Sequence, residues 1–124
     1  MNADSVETRF TRPVFARLRG MCLALPDTTE AVAWGHPNFR VGKRTFCALE
    51  ILKGRPSVAL SATAADVQRL MKKKDFFGTP YGRMAYVSRW LDGTINWREL
   101  ETLVKKSYRL ATSKASRKSR RRKA

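Results

Sequence analysis

Residues 34–52 constrain the fold more than any other stretch, because they alternate polar and apolar side chains around tight turns. Gly35 and Pro37 bracket a first turn, since glycine accepts positive φ and proline fixes φ and donates no hydrogen bond. Phe39, Arg40 and Val41 then alternate as a short strand, and Gly42-Lys43-Arg44 reverses the chain into Thr45 to Leu52. A three-residue loop there pairs Val41 with Thr45 and Phe39 with Cys47. Phe39, Val41, Cys47, Leu49 and Ile51 then share a core side, with Asn38, Arg40, Phe46, Ala48 and Glu50 opposite. A two-residue loop would slip the pairing and mix apolar with polar positions. Because a one-residue slip flips every side chain, the first register is expected.

Other elements follow from local chemistry. Residues 1–9 are polar and expected to fray. A helix should begin near Thr11, with Pro13 in its first turn, and Val14 or Phe15, Leu18, Met21 or Cys22, and Leu25 form its apolar stripe until Pro26 stops it. Thr29 to Trp34 read as a strand, as do Ser57 to Leu60 after a Lys53-Gly54-Arg55-Pro56 turn. Thr63 caps a helix running to Lys73, with Asp66 at its favourable start and Lys72, Lys73 and Lys74 at its end. Residues 75–83 read as a loop and Met84 to Leu91 as a last strand. The final helix opens with Asn96 as cap, Glu99 at the third position and Ile95 with Leu100 as a hydrophobic staple. The fold class is α+β: an antiparallel sheet of about five strands with helices packed on one face, in the order α-β-β-β-β-α-β-α.

Charge points to a partner. The 124 residues carry 26 Lys and Arg against 10 acids, a formal +16. Seven of the positive charges (Lys114, Arg117, Lys118, Arg120, Arg121, Arg122, Lys123) lie in residues 113–124, an acid-free tail expected to be disordered; removing them leaves +9 for residues 1–112. The folded part is thus basic in its own right, and a polyanion is the expected partner: DNA, or RNA on the same charge. No apolar run suits a membrane span and no signal-peptide pattern opens the sequence, so a cytoplasmic or nucleoid-associated monomer is expected. The tail supplies affinity and no base-reading geometry.

Catalytic and metal readings find little support. Cys47 and His36 are the one nucleophile-plus-base pair, yet the register puts them on opposite sides, so His36 is expected to fix the turn or stand opposite Glu50. Two cysteines and one histidine do not fill a zinc site, and no phosphate-cradling glycine motif is present. No enzyme activity, cofactor or metal is expected. The candidate nucleic-acid contacts are Arg40, Lys43 and Arg44 in the first hairpin, Lys53 and Arg55 in the next, and the seven tail cations. In an up-and-down meander the two tips lie at opposite ends of the sheet. Trp34, Trp90 and Trp97 read as core or interface residues, and Tyr81 as the aromatic most open to solvent.

Leu25-Pro26, Trp34-Gly35-His36-Pro37 with Phe39-Arg40-Val41 and Lys43, Thr79-Pro80-Tyr81, Leu91-Asp92-Gly93, and Trp97, Glu99-Leu100 and Ser107-Tyr108 together resemble the MmcQ/YjbR family across residues 17–111. The resemblance implies a compact α+β domain over residues 1–112, similar in shape to frataxin/CyaY, whose hairpins act as a double wing on DNA. An iron function would need an acidic surface that this chain lacks. The alternative reading is a non-catalytic domain for a small anionic ligand or an acidic protein, which an apolar pocket near His36 and Arg40 would favour.

Overall fold

The computed structural model describes the backbone of residues 9–123 and the side chains of residues 9–113. The expected fraying of residues 1–8 and the side chains of the seven tail cations lie outside the described residues. The elements lying wholly among the described residues follow in the order α1 (Pro13–Leu23), β1 (Thr28–Ala33), β2 (His36–Val41), β3 (Arg44–Leu52), β4 (Arg55–Ser61), α2 (Ala64–Met71), β5 (Phe76–Gly78), β6 (Tyr86–Trp90) and α3 (Trp97–Lys123). The strands form one antiparallel sheet ordered β1-β2-β3-β4-β6-β5. The extra strand is β5, which lies inside the stretch read as a loop. Its three residues are too few to show a period, and pairing with β6 defines it.

The two later helix caps form where the sequence places them. Thr63 Oγ1 accepts from the Asp66 amide at 3.2 Å, and Asn96 Oδ1 accepts from the Glu99 amide at 3.1 Å. The Glu99 carboxylate itself reaches Lys73 Nζ at 2.6 Å, tying α3 to the end of α2. At the first helix the expectation shifts by one residue: Arg12, not Thr11, occupies the N-cap, with Pro13 in the first turn.

Phe15, Leu18 and Cys22 of α1, Val67 and Leu70 of α2, and Leu100, Val104 and Ala111 of α3 form one core with Phe39, Cys47, Leu49, Val58, Leu60 and Val87 of the sheet. Among the described residues, no helix packs on the other sheet face. Hydrogen bonds also tie α3 to β4 and to the segment before β1. Ser107 Oγ donates to Ser61 O at 2.7 Å, Ser61 Oγ donates to Ser107 O at 3.2 Å, and Tyr108 Oη donates to Pro26 O at 2.7 Å. Tyr108 also sets its ring against the edge of Phe46.

Phe46 corrects the expected register. Phe39 does pair with Cys47, but Val41 pairs with Arg44 and Arg40 with Thr45, so the loop is the two residues Gly42-Lys43. A bulge opposite Phe39 and Arg40 absorbs the extra residue. It turns Phe46, expected on the outer face, into the core, where it is fully buried. The sequence argument treated a two-residue turn and an unbroken ladder as inseparable; a bulge separates them.

The first turn is also corrected. β1 ends at Ala33, and Trp34-Gly35 form the turn, both with positive φ (58° and 79°) as a type I′ hairpin requires. Pro37, read as part of the turn, lies in β2 opposite Val32, just before the β2–β3 ladder begins at Asn38. Its missing N–H therefore breaks no bond to β3.

Candidate functional site

The two basic hairpin tips differ in surroundings. At the β2–β3 tip, Lys43 and Arg44 are exposed and, among the described residues, make no ion pair. Arg40, on the helix-free face, donates through Nε to Thr45 Oγ1 at 3.2 Å. At the β3–β4 tip, Lys53 is exposed in the turn, whereas Arg55 is engaged by its own chain. Its guanidinium donates to both Asp92 oxygens at 2.6 and 3.1 Å and lies 4.0 Å over the Trp90 ring, which stacks in turn on Phe77. That bidentate contact holds the Asp92 carboxyl below its usual range and raises the Arg55 guanidinium.

α3 crosses β3 and β4 so that Leu110 and Ala111 arrive beside the β2–β3 tip. There Lys43, Arg44, Thr45, Ser61, Ala85, Tyr86, Leu110 and Ala111 line a recess of about 250 Å³. Lys114, first of the seven tail cations, follows Ala111 by three residues. The hairpin cations and the root of the tail thus share one end of the molecule, a convergence no sequence argument supplied because it depends on how α3 packs.

Tyr86 and Thr45 line this recess and also a larger cleft, of about 720 Å³, on the helix-free face. Tyr86 Oη donates to Thr45 O at 2.8 Å, closing β6 onto β3. Burial raises the Tyr86 phenol, and the nearby Arg44 and Arg40 partly offset that. The cleft floor carries Ala48 and Ala59, direct neighbours across β3 and β4, together with Asn38, Glu50 and Leu52. Its rims are Trp34, from the β1–β2 turn, and Thr79-Pro80-Tyr81-Gly82, from the β5–β6 loop.

His36 stands opposite Glu50, as the hairpin pattern implies, with Nε2 3.3 Å from Oε2. Oε1 of Glu50 is buried and, among the described residues, has no hydrogen-bond partner. Burial pushes the Glu50 carboxyl above its usual range, and His36 partly counters this. Asn38 Nδ2 donates to the carbonyls of His36 at 3.0 Å and Ala33 at 3.2 Å, which fixes the turn that presents Trp34.

Two aromatic rings stand in water at this cleft. Tyr81 is 100% exposed, as its position beside Pro80 suggests, and Trp34 is 92% exposed, which removes it from the core. Both have left-handed backbone (φ 60° and 58°), rare for bulky residues. The sequence clue to Trp34 was its place immediately before Gly35 in a two-residue turn. Trp90 stacks on Phe77, and Trp97 packs against the core beneath the Arg17 guanidinium at 4.1 Å.

Cys47 is fully buried on the helix side of the sheet, away from His36 in the cleft. Its hydrogen bond with Cys22, together with burial, holds its thiol well above the ordinary value, the opposite of an activated nucleophile. Among the described residues, no helix is long and apolar enough to cross a membrane.

The YjbR family model matches residues 23–110, which span β1 to β6 and most of the core-packed part of α3. A solved Pseudomonas syringae protein shares the fold with a TM-score of 0.64 at 17% identity, over 77% of this chain and 97% of its own. A Deinococcus radiodurans protein with a DUF419 domain does so with a TM-score of 0.66 at 21% identity, over 93% of this chain and 83% of its own. No curated protein matches the sequence.

Proposed function

The chain belongs to the YjbR family, and from that premise we propose that it is a DNA-binding protein that grips phosphates with one basic end. Lys43 and Arg44 at the β2–β3 tip act with the tail cations Lys114, Arg117, Lys118, Arg120, Arg121, Arg122 and Lys123, and Arg40 backs the tip from the sheet face. The observation that carries this reading is the shared recess, in which the hairpin cations meet the root of the tail. Each phosphate neutralised releases condensed counterions, so a cluster of unpaired cations converts directly into affinity. Lys53 lies at the other hairpin tip, and Arg55 is a structural residue through Asp92 and Trp90. The role is binding without catalysis, since the thiol and the imidazole lie on different faces. RNA would satisfy the same charges.

A small anionic ligand in the cleft is the second reading, and the volume near His36 favours it. The Glu50 carboxyl on the floor opposes it, because an anion placed there would meet an acid.

The test is the salt dependence of binding by the full chain to a fluorescent duplex. Seven tail cations alone give a slope of log K against log salt of about −6, and engagement of the hairpin steepens it. A shallow slope of one or two, or no binding at low salt, would overturn the proposal.

A further inference from the structure

We infer that the cleft on the helix-free face takes one unpaired nucleobase, so that this protein prefers single-stranded or locally opened nucleic acid to closed duplex. The inference rests on the nucleic-acid reading above and adds what the cleft recognises.

Four observations converge. The rings of Trp34 and Tyr81 are presented to solvent from elements at opposite edges of the sheet, and both line the same cleft. Exposed aromatics beside a basic surface are what stacks bases in single-strand binding proteins, since every base has a π-face. The floor is low where Ala48 and Ala59 face each other across adjacent strands, since neither projects beyond a methyl group. A planar ring can therefore lie down between the larger rim residues.

Glu50 sets the polarity of the occupant. One carboxyl oxygen faces His36; the other is buried without a partner among the described residues. A buried acceptor left unpaired costs free energy that an N–H donor recovers, and the edge of every nucleobase carries such a donor. An aliphatic ligand would leave Glu50 Oε1 unsatisfied, and a phosphate would meet the acid. A neutral ring with N–H groups on its edge fits both.

Continuity supplies the backbone. Thr45 and Tyr86 border both the cleft and the basic recess, so a strand whose base enters the cleft runs its phosphates over Lys43 and Arg44. A paired base cannot enter, since its edge is engaged by its complement and its faces by its neighbours.

The experiment compares a short fluorescent single strand with the duplex of the same sequence, using the full chain and its Trp34→Gly and Tyr81→Ala variants. Both rings are in solvent, so neither change opens the core. Each variant should bind the single strand roughly 5- to 100-fold more weakly, the range for loss of one stacked base, with duplex affinity within about twofold of the parent. A strand carrying 2-aminopurine should lose its fluorescence on binding the parent and keep it on binding the variants. Equal effects on both polymers, or none on the single strand, overturn the cleft assignment while leaving charge-driven binding in place. Absence of salt-dependent binding to either polymer overturns the underlying reading as well.

Discussion

The two hairpin tips carry nearly the same residues, Gly42-Lys43-Arg44 and Lys53-Gly54-Arg55, yet the structure gives them different surroundings. At the β3–β4 tip an acid is within reach, and Arg55 is held by Asp92 and stacked on Trp90. At the β2–β3 tip no acid is within ion-pairing distance among the described residues, and both cations remain available beside the start of the tail. A basic turn therefore does not by its composition leave its cations unpaired. What distinguishes the two is whether the fold brings an acid to neutralise the charge or another cation to add to it.

The sharpest way to break this comparison is to remove the charges one tip at a time. Lys43→Gln with Arg44→Gln in the full chain should make the salt slope shallower by roughly 2. Lys53→Gln should leave it unchanged. Equal effects from both tips, read by fluorescence anisotropy across a salt series, would erase the distinction.

The turns also differ in backbone, with an expected effect on stability. Gly42 already holds the left-handed residue of its turn (φ 60°), with open space where a Cβ would stand. Gly42→Ala should therefore cost about 1–2 kcal/mol through conformation alone. Lys53 holds the equivalent strain as a non-glycine residue (φ 51°), so Lys53→Gly should stabilise by about 1 kcal/mol at most. Denaturant midpoints for the two variants should move in opposite directions.

The smallest effect concerns the engaged arginine. Because Asp92 is held below its usual value of 3.8, the contribution of the Arg55–Asp92 pair is present above that value and disappears as pH falls through the lowered native one. Asp92→Asn should slightly lower the melting temperature at neutral pH and make stability less sensitive to acid. Thermal melts of both proteins between neutral pH and about pH 2 check this; parallel curves would mean that the pair does nothing for the fold.

Much of this architecture was legible in the sequence for identifiable reasons. The caps at Thr63 and Asn96 involve groups three residues apart. Phe39 pairs with Cys47, and His36 stands by Glu50, as expected because the one-residue-shorter turn and the Phe46 bulge cancel beyond Phe39. Non-local features were hidden. The Phe46 bulge is stabilised by Tyr108 on α3, more than sixty positions on, and β5 exists only by pairing with β6. The same holds for the candidate site. Lys43 and Arg44 could be named from turn chemistry, but the packing of α3 brings them to the tail root. Of the core and interface roles open to Trp34, the positive-φ turn removes the core one, which alternation alone could not show.

The central claim is that the folded domain itself contributes to nucleic-acid binding, with the tail adding to a surface already there. The direct measurement is a salt titration of a fluorescent duplex with the full chain, with a chain ending at Thr112, and with that shorter chain carrying Lys43→Gln and Arg44→Gln. The account predicts that the shorter chain still binds at low salt, with a slope reduced by about 6, and that the two substitutions remove roughly 2 more. Loss of all binding with the tail would contradict it.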